Sequence, residues 1–143
     1  MAMTATTANP LEHTEDYERP KYSIGDAAEK SGLTRDTLRW YERIGLMDYI
    51  GRDSSGKRRF SDRDLSWLHL IGCLRTTGMS VADMVHYAEL VRAGDETTPE
   101  RLEMFRKTRE GVLAQIEDLH STLAVLDRKI GLYEGRVAAM QQI

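Results

Sequence analysis

One cysteine, Cys73, stands among 143 residues, so no intrachain disulfide can form and a reducing cytosol is the default setting. No apolar run approaches the ~20 residues that a membrane span needs. The N-terminus has neither the basic start nor the apolar stretch of a secretion signal. These absences point to a cytoplasmic protein with no membrane partner. A large net charge of one sign is missing too. The formal value is -3, which argues against a chain that coats nucleic acid along its whole length. Catalytic patterns are equally scarce: no nucleophile–base constellation, metal-ligand set or phosphate loop is present. The expectation is a non-enzyme without cofactor or metal. His69, His86 and Cys73 lack ligand-like spacing, and His13 and His120 read as solvent-exposed.

Charge is nonetheless plentiful at 30% of residues, and it is local. From residue 35 to 59 the bases are Arg35, Arg39, Arg43, Arg52, Lys57, Arg58 and Arg59. The acids in that stretch are Asp36, Glu42, Asp48 and Asp53. A basic patch on an acidic body fits a site-specific binder of nucleic acid.

Helix signals surround the patch. Ser23-Ile24-Gly25-Asp26 is a Ser-x-x-Asp helix start. Gly32 suits the left-handed residue that ends such a helix, with Leu33 as the apolar plug of the turn. Thr34 caps a second helix whose Leu38, Tyr41 and Ile44 face the first, and Gly45 stops it. Ser54-Ser55-Gly56 is a turn between two short extended pieces, hence a wing. Helix, turn, basic helix and basic hairpin together make a DNA-reading unit. Its expected contacts are Thr34, Arg35, Thr37, Arg39, Trp40 and Tyr41 on the reading helix. Arg52, Lys57 and Arg58 follow on the wing, with Arg52 and Arg58 as phosphate clamps. Arg59 reads as a solvated charge.

Two more helix starts follow, at Ser61-Asp62-Arg63-Asp64 and Ser80-Val81-Ala82-Asp83. In the second, Val81, Met84, Val85, Ala88 and Val91 form an apolar stripe that Gly94 closes. Thr98-Pro99 opens the last helix. Its apolar positions alternate three and four apart: Leu102, Phe105, Val112, Ile116, Leu119, Leu123, Leu126, Ile130, Tyr133, Val137 and Met140, with Arg109 the polar exception. That heptad seam predicts a coiled coil, and a seam of this length calls for a second chain. The fold class expected is all-α with a small β wing. Residues 1–21 read as a flexible tail, 22–94 as the winged helix-turn-helix domain, and 95–143 as the dimerisation helix.

The chain resembles the MerR family of bacterial transcription regulators. The resemblance rests on Ile24-Gly25-Asp26-Ala27-Ala28, Thr37-Leu38-Arg39-Trp40-Tyr41-Glu42, Gly45-Leu46 and Gly56-Lys57-Arg58-Arg59-Phe60, and on the order of the elements. It implies a homodimer held by an antiparallel coiled coil. It also implies a palindromic operator in double-stranded promoter DNA whose spacer is too long, and distortion of that DNA to suit RNA polymerase. Lys57 stands where the family commonly has Tyr, and Trp40 where Tyr or Phe is more frequent. Metal-sensing members carry paired cysteines near the end of the long helix, and none follows Cys73 here. Multidrug-sensing members append a large ligand domain, for which this sequence ends too soon. Asp64-Leu65-Ser66-Trp67, Cys73-Leu74-Arg75, Gly78-Met79-Ser80, Gly94-Asp95 and Tyr133-Glu134-Gly135 resemble the branch that answers aldehydes, related electrophiles and nitrosative stress. In that branch a cysteine at the position of Cys73 is the sensor. His69 and Gly72 depart from that branch's usual residues.

The helical wheel gives Cys73 an independent reading. Trp67, Leu68, Leu70, Ile71 and Leu74 make one apolar arc, and Cys73 falls about 140° from its centre, beside Ser66, His69 and Thr76. It is off the core stripe, and His69 lies one turn away. The two functions left are an electrophile-responsive regulator and a constitutive or architectural DNA binder with an inert, structural cysteine.

Overall fold

The computed structural model describes residues 15–47 and 50–142. The elements are α1 (Glu15–Glu18), β1 (Tyr22–Ser23), α2 (Ile24–Ser31), α3 (Arg35–Arg43), β2 (Gly51–Arg52), β3 (Arg58–Phe60), α4 (Asp62–Thr76), α5 (Val81–Ala93) and α6 (Thr98–Met140). A 3₁₀ turn, Asp95–Thr97, precedes α6. The chain forms two compact units that divide between Arg101 and Leu102.

Local chemistry sets the helix boundaries in the first unit. Ser23, Thr34, Ser61 and Ser80 all cap by accepting from the backbone N–H three residues on. At Ser61 the exchange is reciprocal, because Asp64 accepts from the Ser61 N–H. Gly32 ends α2 at φ 73°, a left-handed conformation that a side chain would strain. The expected hairpin is present as β2 and β3 in antiparallel register, with Arg52 opposite Arg58. β1 adds a third strand that sequence periodicity did not signal: Tyr22 pairs with Phe60 and Ser23 with Arg59. Two residues are too few to show a period.

The core gathers Leu38 and Tyr41 from α3, Leu46 and Ile50 from the connection, Phe60 from β3, Leu68, Ile71 and Leu74 from α4, and Met84 and Ala88 from α5. One expectation needs correction here. The buried face of α5 is Met84, Tyr87, Ala88 and Leu90, whereas Val81 is exposed. The inward face is rotated toward Tyr87, whose ring stacks on Trp67 with centroids 5.6 Å apart.

Residues 1–14 of the expected tail lie outside the described residues. Residues 15–21 are fastened to α4. Lys21 pairs with Asp16 at 2.9 Å and with Asp62 at 2.6 Å, while Glu18 pairs with Arg63 at 3.1 Å. The Tyr22 hydroxyl also donates to Asp62 at 2.7 Å. Lys21 and then Tyr22 hold the Asp62 carboxyl below the usual range.

The second unit is one helix. α6 runs 43 residues, about 65 Å, and none of them is buried. Every seam residue from Ile116 to Met140 is exposed. Leu113, Val125 and Leu132 add exposed apolar surface outside the seam. Among the described residues no helix is long and apolar enough to cross a membrane.

Candidate nucleic-acid interface

The N-terminus of α2, the outer face of α3 and the wing enclose a cleft of about 520 Å³. Arg35 and Arg39 contribute from α3, and Arg52, Lys57, Arg58 and Arg59 from the wing. Ser23, Ile24 and Gly25 complete the wall. Six cations and no carboxylate line it. Such a surface attracts a polyanion, and the start of α2 adds partial positive charge from its unpaired N–H groups.

Each side chain has a specific support. Gly25 is small for a reason: a Cβ there would lie 2.7 Å from Arg35 Nη2. The guanidinium folds down over α2 because position 25 has no side chain. Thr34 Oγ1 accepts from the Thr37 N–H at 3.1 Å and donates to Thr37 Oγ1 at 2.9 Å, which fixes the first turn of α3. Arg39 pairs with Asp36 at 3.0 Å on an exposed edge. Exposed ion pairs of this kind are worth little, so Asp36 holds Arg39 only weakly.

Glu42 ties α3 to the wing. Arg58 Nε donates to Glu42 Oε2 at 2.6 Å, and Arg52 Nη2 lies 3.8 Å from Glu42 Oε1. Arg52 Nη1 also donates to the Gly56 carbonyl at 3.0 Å. The two expected clamps are thus oriented by one carboxylate on the reading helix. Asp53 organises the turn. Its carboxylate accepts from the Ser55 hydroxyl at 2.6 Å, the Ser55 N–H at 2.9 Å, the Lys57 N–H at 3.1 Å and Arg59 Nε at 3.1 Å. The Ser55 hydroxyl first, then the Lys57 amide, push its pKa down to about 2. Arg59, expected as a solvated charge, is therefore held in the cleft wall.

Tyr41 is corrected. Its ring is 2% exposed and belongs to the core, and its hydroxyl accepts from Arg75 Nη1 at 3.0 Å. Its place on the inward side of α3, beside Leu38, outweighs the motif argument for a DNA contact. Trp40 points the other way, 39% exposed. Sequence reasoning missed the wall formed by Ser23, Ile24 and Gly25, although the Ser-x-x-Asp start already marked a helix N-terminus there. It also missed Arg75, whose tie to Tyr41 spans 34 positions of sequence.

Cys73 sits where the wheel put it. Leu68, Ile71 and Leu74 are buried, and Cys73 is exposed on α4. Its Sγ is 3.8 Å from His69 Nε2. Among the described residues no group of three or more His, Cys, Asp or Glu side chains is arranged to hold a metal ion.

Comparison with known proteins bears on what this arrangement is for. Residues 22–90 match the family described as MerR HTH family regulatory protein, and residues 65–129 match the one described as MerR, DNA binding. The chain belongs to the MerR family. An uncharacterised HTH-type transcriptional regulator of Haemophilus influenzae is 43% identical over 79% of this chain and 84% of its own length. The HTH-type transcriptional regulator AdhR of Bacillus subtilis is 34% identical over 64% of this chain and 65% of its own. Among solved structures, HiNmlR, a MerR family regulator lacking the sensor domain, was crystallised bound to promoter DNA. It superimposes with a TM-score of 0.76 at 43% identity, over 82% of this chain and 93% of its own. A Listeria monocytogenes structure described as a putative MerR family transcriptional regulator gives 0.78 at 36% identity, over 85% and 92%. These likenesses support a place in the AdhR/NmlR-like branch of the MerR family. The relatives named here are described as transcription regulators.

Proposed function

We propose that this MerR-family chain is a cytoplasmic, homodimeric regulator that binds a palindromic operator in promoter DNA and answers aldehydes or related thiol-reactive electrophiles through Cys73. The observation that carries the DNA half is the cleft between α2, α3 and the wing, whose lining residues include six cations. In this reading Arg39 faces a base edge or phosphate, and Arg52, Lys57 and Arg58 hold the flanking backbone. Thr34, Arg35, Thr37 and Trp40 border the groove. Residues 22–94 form the reading domain, and the seam of 95–143 pairs with a second copy. Two heads on one dimer place two reading helices on the half-sites. A change in their relative rotation alters DNA twist and so the fit to RNA polymerase.

Cys73 supplies the trigger. Its thiol proton passes to the His69 imidazole, and the thiolate sulfur attacks the aldehyde carbon. A carbon–sulfur bond forms, the carbonyl pair moves to oxygen, and that oxygen takes up a proton. The hemithioacetal is bulkier and more polar than the thiol. It shifts the regulator only if it is more favourable in the activating state. Cys73→Ser is expected to keep dimerisation and operator binding but lose induction by formaldehyde or methylglyoxal in a promoter-reporter assay. Normal induction in that variant would overturn the sensor role. It would favour the second reading, a constitutive or architectural DNA binder. That reading draws support from the sparse setting of Cys73, whose hydrogen-bonding neighbour among the described residues is His69.

A further inference from the structure

A second cavity, of about 260 Å³, lies among α1, α4 and α5 and shares no lining residue with the basic cleft. It also excludes Cys73 and His69. Met47, Trp67, Leu70 and Ala88 give it an apolar floor, and Arg63 and Arg92 give it two cations. Asp64 is the lining carboxylate, and it caps α4 by accepting from the Ser61 N–H at 2.9 Å. Sites for drug-sized ligands begin near 300 Å³, so this one suits a smaller molecule.

The walls of this cavity hold the end of the reading helix. Trp67 Nε1 donates to the Leu46 carbonyl at 2.8 Å, and Arg92 Nη1 donates to the Gly45 carbonyl at 2.9 Å. Gly45 and Leu46 follow Ile44, the C-cap of α3. A molecule seated here touches both side chains that fix how α3 ends. At the mouth, Glu18 occupies Arg63 through an ion pair at 3.1 Å in which both side chains are more than half exposed. Such a pair contributes little, and a carboxylate delivered by a ligand can replace it.

We infer that this cavity is an effector site for a small organic carboxylate with an apolar body, such as a short alkyl or aryl group. The body rests on Trp67 and Leu70, and the carboxylate pairs with Arg63 and Arg92. Occupancy then biases the position of α3 and with it DNA affinity. This control is independent of the thiol and does not rest on it.

Isothermal titration calorimetry of the full chain with phenylacetate and hexanoate tests the site, with phenylacetamide and hexanamide as uncharged controls. The carboxylates are expected to bind saturably and the amides roughly tenfold or more weakly, because the charge-assisted bonds are lost. Arg63→Gln is expected to weaken both carboxylates, and Leu70→Phe to exclude them by filling the cavity. Arg63 is exposed, so its variant tests the idea even if Leu70→Phe does not fold. For the regulatory half, a saturating carboxylate is expected to change affinity for a duplex that the protein has selected from a random pool by about fivefold or more. The same change is expected in Cys73→Ser. No saturable heat, equal binding of acid and amide, or native binding by Arg63→Gln overturns the site. Unchanged DNA affinity at saturation overturns the control.

Discussion

The two units use the same residue types to opposite ends. Residues up to Arg101 bury Leu38, Tyr41, Phe60, Ile71 and Met84 within one chain, each at 2% exposure or less. From Leu102 on, a helix richer in leucine and isoleucine than the first unit buries none of them. Short helices at angles to one another close a core by themselves. A single straight helix with a heptad seam cannot bring two of its own faces together. If α6 pairs as proposed, the first unit closes its core without a partner, while the seam of the second is covered only when another copy is present. In the proposed dimer reading and pairing are separate, and each is expected to be open to damage alone.

Charge placed in the seam is expected to have the largest effect. Leu119, 67% exposed in the single chain, lies mid-seam. Leu119→Asp or Leu123→Asp buries an unpaired carboxylate in the dimer, at a cost of about 3–5 kcal/mol for each. Light scattering is expected to report a dimer for the unmodified protein and a monomer for the variants, with the near-ultraviolet spectrum of the reading unit unchanged. A monomeric unmodified protein would remove the basis for assigning α6 to dimerisation.

Truncation in the core of the first unit comes next. Leu38→Ala should destabilise by about 2–5 kcal/mol through lost burial and a residual cavity. Unlike the seam variants, its loss is expected to be independent of protein concentration in denaturant titrations. A midpoint that moves with concentration as strongly as that of Leu119→Asp would mean that the two units do not fold separately.

How these regions could be read beforehand differs for a physical reason. Caps, turns and the heptad are local patterns, and Ser23, Thr34, Ser61, Ser80 and Gly32 could be placed from a few neighbouring residues. The candidate cleft was half legible. Arg35, Arg39, Arg52, Lys57 and Arg58 announce themselves by charge, and the structure brings all five into one wall. What stayed hidden depends on contacts between distant positions. Glu42 meets Arg58 across 16 positions, and Tyr41 turns inward to meet Arg75. The inward side of α5 was misjudged for a similar reason. Its face is chosen by Trp67 on another helix, and periodicity within α5 contains no trace of that partner.

The reading surface should respond at a smaller scale. Arg39→Ala is expected to weaken operator binding by ~1–3 kcal/mol if its contact is a bidentate one to guanine. Arg58→Ala should reduce the salt slope by about 1, because one phosphate contact is lost. Glu42→Gln should act in the opposite sense on random DNA. It adds net positive charge while releasing Arg52 and Arg58 from their orientation, so affinity for random duplex rises and the ratio of operator to random binding falls. Fluorescence anisotropy over a salt series separates these effects. Unchanged operator affinity in both arginine variants would move the DNA surface away from the cleft.

The smallest expected effect concerns the turn of the wing, where, as in α6, no residue from Gly51 to Arg59 is buried. Its turn hangs on Asp53, whose carboxylate takes four hydrogen bonds from Ser55, Lys57 and Arg59. These bonds favour the ionised form, so the carboxyl titrates at about 2 instead of 3.8. The sign follows from linkage. A carboxyl depressed in the folded state contributes its full stabilisation above its ordinary value, and the contribution disappears as pH falls from 3.8 through 2. At pH 3 the Asp53 side-chain carbon should still show the NMR shift of a carboxylate. Ser55→Ala removes the largest cause and should raise the midpoint, with the Lys57 amide shift following the same titration. Leu119→Asp should leave both signals where they are, because the wing owes nothing to pairing through α6. A midpoint at the ordinary value in the unmodified protein would show that the turn is not held through Asp53. Arg59 would then lose the support that places it in the cleft wall.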